Sequence, residues 1–329
     1  MYRHTTSSLN SLSCKQSWSN LFWAQCIDEK MAIAKSHITI LLAVTVFFLV
    51  AIRLYYDKET YLTLYKNEAN KAEERLQRYL TGGVDKNDDV YFTMSRLVEQ
   101  RNNISRILNK KQQKIGQLEC ESSAKGKTFK ISSTGGWCAQ SSVENSGQHK
   151  TDTQLVPVLA EFFKDKCVGS FGDGPGRYKQ LLTDTKKLKG YDAYDGAPFS
   201  EKTSEGRVSY LDLTLPQYGL PLYDWIMSLE VAEHIPREYE SVYIDNIVRH
   251  AKEGVVLSWA VPGQEGYSHI NMRTFEYVKD LFDKLGFDHD AESSEKLKKA
   301  SKLEWLRTNT NVYRRRDTSN IEHLKTFLT

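Results

Sequence analysis

The 329 residues include only five cysteines, Cys14, Cys26, Cys120, Cys138 and Cys167. None of them forms a C-x-x-C pair, which argues against a structural zinc site. An excess of one charge is also missing. With 45 Lys and Arg against 42 Asp and Glu, the net charge is +3, and no nucleic-acid partner is expected without a clustered basic face. The densest basic run, Tyr313 to Arg316, reads as a solvated strand end. There is no G-x-G-x-x-G turn and no Y-x-x-x-K set, which speaks against nicotinamide-dependent hydride transfer. Apolar residues are not lacking: they make up 40% of the chain, enough to bury the core of one large domain with an appendage.

Ile38 to Ile52 reads ITILLAVTVFFLVAI, without a charge, and Leu54 to Tyr56 extend it past Arg53, a residue able to snorkel to an interface. The bulky RLYY that follows is unlike a signal-peptidase site, so an uncleaved anchor over 38–56 is expected, behind a tail at 1–37 in which Met31 is a second possible start. Orientation signals conflict. Lys30 and Lys35 precede the span whereas Arg53, Lys58, Lys66 and Lys71 follow it, which puts the bulk of the chain in the cytosol. The triplet Asn103-Ile104-Ser105 and the spacing of Cys120 and Cys138, suited to a disulfide-closed loop, point to a secretory lumen. A single-pass membrane protein of the secretory pathway is the expectation.

Over 57–119 the pattern is helical. Leu62, Tyr65, Ala69, Ala72, Leu76 and Tyr79 alternate three and four steps, Gly82-Gly83 interrupts, and the spacing resumes at Val90, Met94, Leu97, Ile104, Leu108, Ile115 and Leu118. This seam fits a coiled-coil stalk pairing with a second copy, or a helical hairpin folded on itself. The Gly/Ser/Thr/Lys-rich stretch 120–150 reads mostly as linker, with Trp137 and Cys138 able to dock onto the domain beyond it.

From Thr151 to Arg316 strands and helices alternate, ahead of a tail at 317–329. Strands are expected at 167–171, 190–194, 208–211, 225–229, 254–260 and 311–315, and helices at 155–163, 178–183, 239–251 and 274–285. Alternation of this kind predicts a mainly parallel sheet covered on both faces, with its ligand at the carboxyl ends of the strands. The first strand runs into VGSFGDGPGRY, where Gly172, Gly174 and Gly176 leave the backbone bare for a ligand. Asp195, with Asp192 as the alternative, is placed at the end of the second strand to accept the ribose hydroxyls of an adenosine ligand. Asp212 ends the third, near where an adenine would lie.

Taken together, VGSFGDGPGRY, AYDGAPFS, VSYLDLT and DWIMSLEVAEHIP resemble the ordered motifs of class I S-adenosylmethionine-dependent methyltransferases. The wording of SLEVAEHIP and VLSWAVPGQEGYSHIN, with the N-terminal anchor, further resembles the membrane-anchored animal family called methyltransferase-like protein twenty-four. The resemblance implies a Rossmann-like seven-stranded α/β sheet whose last strand, NVYRRR, runs antiparallel. It also implies S-adenosylmethionine as methyl donor over Gly172, Gly174 and Gly176. The family's acidic residue two positions before the first glycine is Ser170 here, and Asp173 is its candidate substitute, with Glu230 also on the donor side.

Glu230, Glu233 and His234 in SLEVAEHIP project to one side if a helical turn follows the strand. Such a set can ligate a divalent cation, Mg2+ or Mn2+, or take a proton from a hydroxyl. The spacing resembles the metal motif of small-RNA 2′-O-methyltransferases, for which His269 supplies the later histidine. Trp259 is placed where an acceptor meets the donor, and Tyr178 and Trp225 against the cofactor. The expected activity is methyl transfer to a hydroxyl of a small-molecule, lipid or glycan acceptor. A catalytically silent binding module and a nicotinamide-dependent oxidoreductase are the alternatives.

Overall fold

The computed structural model describes residues 89–123, 131–146, 149–319 and 321. The anchor expected at 38–56 and the helical segment before Asp89 lie outside the described residues. Among those described, no helix is long and apolar enough to cross a membrane.

Seven strands form one sheet: β1 (Cys167–Phe171), β2 (Gly190–Asp195), β3 (Ser209–Tyr210), β4 (Tyr223–Ser228), β5 (Ala251–Leu257), β6 (Phe287–His289) and β7 (Asn311–Arg315), in the order β3-β2-β1-β4-β5-β7-β6. β1 pairs parallel with β2 and β4, and β4 with β5. Only β7 is reversed, lying antiparallel between β5 and β6. This seven-stranded, Rossmann-like α/β sheet, with NVYRR reversed, is the one expected from the sequence.

Both faces are covered, so the central strands are apolar runs whose alternate residues serve opposite cores. From β4, Trp225 and Met227 pack with Val168, Leu159 and Leu182 on one side. Ile226 joins Phe171, Tyr243, Ile247 and Phe282 on the other. The chain departs from β1 toward β2 on one side and returns to β4 on the other, which opens a crevice at their carboxyl ends.

Helix α1 (Asp89–Ser123) runs along the β3 side of this domain. Its polar residues make the contact. Asn109 donates to the Tyr210 carbonyl and accepts from the Asp212 amide, and Ser105 donates to the Pro216 carbonyl. Gln113 and Gln117 both donate to the Pro198 carbonyl. These side chains satisfy main-chain groups of β3 and of the loops beside it. The apolar seam is left on the other side of the helix: Met94, Leu97, Ile104, Leu108, Ile115 and Leu118 are between 41% and 57% exposed. The segment is therefore neither free of the domain nor docked through its apolar stripe, and it extends past the boundary expected at 119.

The stretch expected to be linker is partly built into the domain. Cys120 and Cys138 form a disulfide, with Cα atoms 5.4 Å apart. Ile131 and Trp137 form an isolated antiparallel bridge around a turn closed by Gly135 N donating to Ser132 O. Further on, Asp152 accepts from Ser301 Oγ and from the amides of Leu155, Lys302 and Leu303, fastening the start of helix α3 (Val156–Phe162), which follows the short α2 (Ser142–Ser146). At the far end of the sheet the basic run is a paired strand end: Arg314 meets Asp290, and Arg316 meets Asp283 and Asp288.

Candidate functional site

The crevice at the carboxyl ends of β1, β2 and β4 holds a cavity of about 520 Å3. At one end β1 turns through Gly172, Gly174 and Gly176, all with positive φ, into helix α4 (Arg177–Asp184). Close approach demands the first two glycines. A Cβ at Gly172 would lie 2.1 Å from Val231 Cγ2, and one at Gly174 would lie 2.3 Å from His149 Cδ2. Asp195, at the tip of β2, accepts from the Gly174 amide at 2.8 Å and from the Ala197 amide at 2.8 Å. Burial pushes its carboxyl up, against the pull of those two amides. Asp212 also lines the cavity, with one oxygen held by Thr214 Oγ1 and the Thr214 amide, and burial pushes its carboxyl up as well.

At the other end, β4 gives way to a 3-10 turn, Ala232–His234. The Glu233 carbonyl accepts from the amides of Ile270 and Asn271, which brings the loop bearing His269 back against the turn. Ligating atoms of Glu233, His234 and His269 consequently lie within 4.8 Å of one another. His234 Nδ1 donates to the Ser268 carbonyl at 3.1 Å and His269 Nδ1 to the Gln264 carbonyl at 3.1 Å, since a carbonyl can only accept. Each ring keeps Nε2 as its lone-pair nitrogen, and His269 Nε2 is 4.0 Å from Glu233 Oε1. Burial pushes His234 down to about 4, so its imidazole is neutral at pH 7. Glu233 is fully buried and neither carboxylate oxygen has a hydrogen-bond partner among the described residues. Burial first, and then the neighbouring Glu230, push its carboxyl well above the ordinary value. An orphaned carboxylate beside two outward lone pairs suits a divalent cation.

No family model matches this chain, and no curated protein does. Solved structures do match. Magnesium protoporphyrin IX methyltransferase (ChlM) from Synechocystis PCC 6803, with bound SAH, is 15% identical over 49% of this chain and 82% of its own, with a TM-score of 0.37. The N-methyltransferase NodS from Bradyrhizobium japonicum WM9 is 15% identical over 50% of this chain and 85% of its own, with a TM-score of 0.38. The 1,6-didemethyltoxoflavin-N1-methyltransferase of Burkholderia thailandensis is 13% identical over 50% and 80%, with a TM-score of 0.36.

Of the residues singled out in the sequence, Gly172, Gly174, Asp195, Asp212, Glu230, His234, His269 and Tyr178 line the cavity. Glu230 neighbours the Glu233 carboxyl but is not one of the three residues whose ligating atoms converge. Its carboxylate accepts from Ser258 Oγ at 2.8 Å, on a residue with φ of 57°. Gly176 turns the chain into α4 away from the cavity wall. Asp173 is buried beneath the glycine turn, accepting from Ser170 Oγ, Tyr191 Oη and the Lys179 amide, so it cannot replace an acidic residue at position 170. Asp192 lies on the strand and accepts from Tyr223 Oη. Two aromatic placements are corrected. Trp225 is in the core, donating to Glu253, and Trp259 is buried, donating to the Asn271 carbonyl; neither lines the cavity.

The sequence pointed to Trp137 and Cys138 docking onto the domain and to the Cys120–Cys138 disulfide, but not to the segment around them as a wall of the cavity. Thr134 to Trp137, tied down by the disulfide, closes over the cavity. Gly135 lies against the His234 carbonyl and Gly136 against the Gly196 carbonyl, where a Cβ would come within 2.4 Å and 2.1 Å. The Trp137 ring meets His234 edge-on at 6.2 Å. The available signal was a Gly-Gly-Trp-Cys run inside an otherwise linker-like stretch.

Proposed function

We propose that this chain is a membrane-anchored methyltransferase that moves the methyl group of S-adenosylmethionine to a hydroxyl oxygen. One observation carries the reading: a single cavity joins the glycine turn and Asp195 at one end to His234 and His269, backed by Glu233, at the other. The narrower resemblance to methyltransferase-like protein twenty-four belongs to this reading.

The donor supplies an electrophilic methyl carbon on a sulfonium. Gly172 and Gly174 bring bare backbone up to its amino-acid end, Asp195 takes the ribose hydroxyls, and Asp212 faces the adenine end. As the acceptor oxygen attacks, the C–O bond forms and the C–S bond breaks, leaving a neutral thioether. The hydroxyl proton passes to an imidazole Nε2, which the Nδ1 hydrogen bonds of His234 and His269 turn toward the cavity. In the alternative arrangement those same Nε2 lone pairs, with Glu233, would hold Mg2+ or Mn2+, which would lower the pKa of a bound hydroxyl in place of the imidazole base. The sheet supports a methyltransferase over a nicotinamide enzyme, because the dinucleotide fold has six parallel strands ordered 3-2-1-4-5-6 without a reversed strand between the last two. The Cys120–Cys138 disulfide favours the oxidising secretory lumen, where glycans and secreted small molecules are the natural acceptors.

The test uses the full chain in detergent with donor labelled on its methyl group, offered to glycan, lipid and small-molecule hydroxyl acceptors. Label is expected in one acceptor class. Mn2+ is expected to raise the melting temperature of the wild type and to leave Glu233→Gln unmoved. An equal Mn2+ shift in that variant would remove the cation site.

A further inference from the structure

The described site leaves the charged amino-acid end of the donor without an evident partner. Ser170 Oγ is spent on Asp173, and the Asp173 carboxylate is itself beneath the turn, held by three donors. Beside Gly174 lies a side chain that no motif drew attention to. The His149 ring packs on the Gly174 main chain so closely that a Cβ there would lie 2.4 Å from its Nε2. His149 lines the cavity, and its Nδ1 is shut off from solvent without a hydrogen-bond partner among the described residues. Lys150, the next residue, lines the same wall and sits 5.5 Å above the Trp305 ring.

This short segment is fastened to the domain three residues on. The Asp152 amide donates to Tyr178 Oη, and its carboxylate is held by Ser301, Lys302 and Leu303. His149 is thus presented to the glycine turn by a clamped segment. With Nδ1 enclosed and unpartnered, an N–H there would be the costlier tautomer, so the ring keeps its N–H on Nε2, on the edge beside Gly174, where a ligand carboxylate is a fitting acceptor.

We infer that His149 is a donor-binding residue, hydrogen-bonding through its imidazole N–H to the carboxylate of S-adenosylmethionine, with the Lys150 ammonium adding positive charge on the same wall. The inference rests on the methyl-donor reading above. It puts the anion-recognising group on the segment that precedes the sheet, against the same Gly174 whose amide donates to Asp195.

The test compares two ligands on the full chain in detergent: S-adenosylhomocysteine, which carries the carboxylate, and 5′-methylthioadenosine, which keeps the adenosine and the thioether but lacks the amino-acid end. His149→Ala is expected to weaken the first by about ten- to a hundredfold, the worth of one hydrogen bond to a charged group. Binding of the second should stay within about twofold of wild type, the scale of a contact not made. His149→Gln, which keeps an N–H donor near the position of Nε2, should recover part of the loss. Equal weakening of both ligands would reduce His149 to a structural role and overturn the inference. Unchanged or tighter S-adenosylhomocysteine binding in His149→Ala would overturn it too, the ring then merely filling the donor's space. A wild type that binds neither ligand would instead defeat the methyl-donor reading on which it rests.

Discussion

Asp173 shows how the glycine turn is built from beneath and what that costs. Its carboxyl is fully enclosed, and burial pushes it up to about 6 against the pull of Ser170, Tyr191 and the Lys179 amide. Because the folded protein favours the protonated form, the stability tied to this group is complete below the unfolded value near 4 and is lost as pH rises to about 6. The loss is on the order of 3 kcal/mol. Urea unfolding at pH 4 and pH 7 should show a smaller fall between the two in Asp173→Asn than in wild type. An identical pH dependence in the variant would contradict the assignment. The same residue shows where the sequence was readable. Gly172, Gly174, Asp195 and the E-x-x-E-H run were legible because glycine turns and strand ends carry local signatures. The direction of Asp173 was not, since it depends on Tyr191, a partner on another strand.

At the scale of elements, strands buried on both faces were legible and edges were not. β1 stands at 167–171, as its apolar run suggests. β5 begins three residues before the expected 254, because helix α5 (Glu240–His250) passes into it without a loop. β6, with three residues, is too short to carry a period and exists through its pairing with β7. The helices α6 (Ala291–Ala300) and α7 (Glu304–Asn309) went unread for want of a strong apolar face. The loop from Ile131 to Cys138 was legible only in its disulfide and in Trp137; its place over the cavity was not, because that comes from main-chain packing against His234 and Gly196. Removing that tie is predicted to matter. Cys120→Ser with Cys138→Ser should lower stability by about 3 kcal/mol, the entropy of a loop of this size. Reductant should lower the melting temperature of wild type and leave the double variant unchanged. A reductant effect of equal size in both would show that the disulfide is not the cause.

For the whole molecule, the described domain brings three separate stretches of sequence to one crevice. Thr134 to Trp137 with His149 and Lys150 wall one side, the tips of β1 to β3 form the end at the glycine turn, and the turn after β4 with the His269 loop forms the other. Helix α1 braces the glycine-turn end through Asn109, which holds the Asp212 amide, while its apolar stripe faces away from the domain. The most direct measurement of the central claim is calorimetric titration of the full chain in detergent with S-adenosylmethionine and, separately, with a nicotinamide dinucleotide. The account predicts saturable binding of the methyl donor, lost in Asp195→Ala, and none of the dinucleotide. Binding of the dinucleotide alone, or of neither, would contradict it.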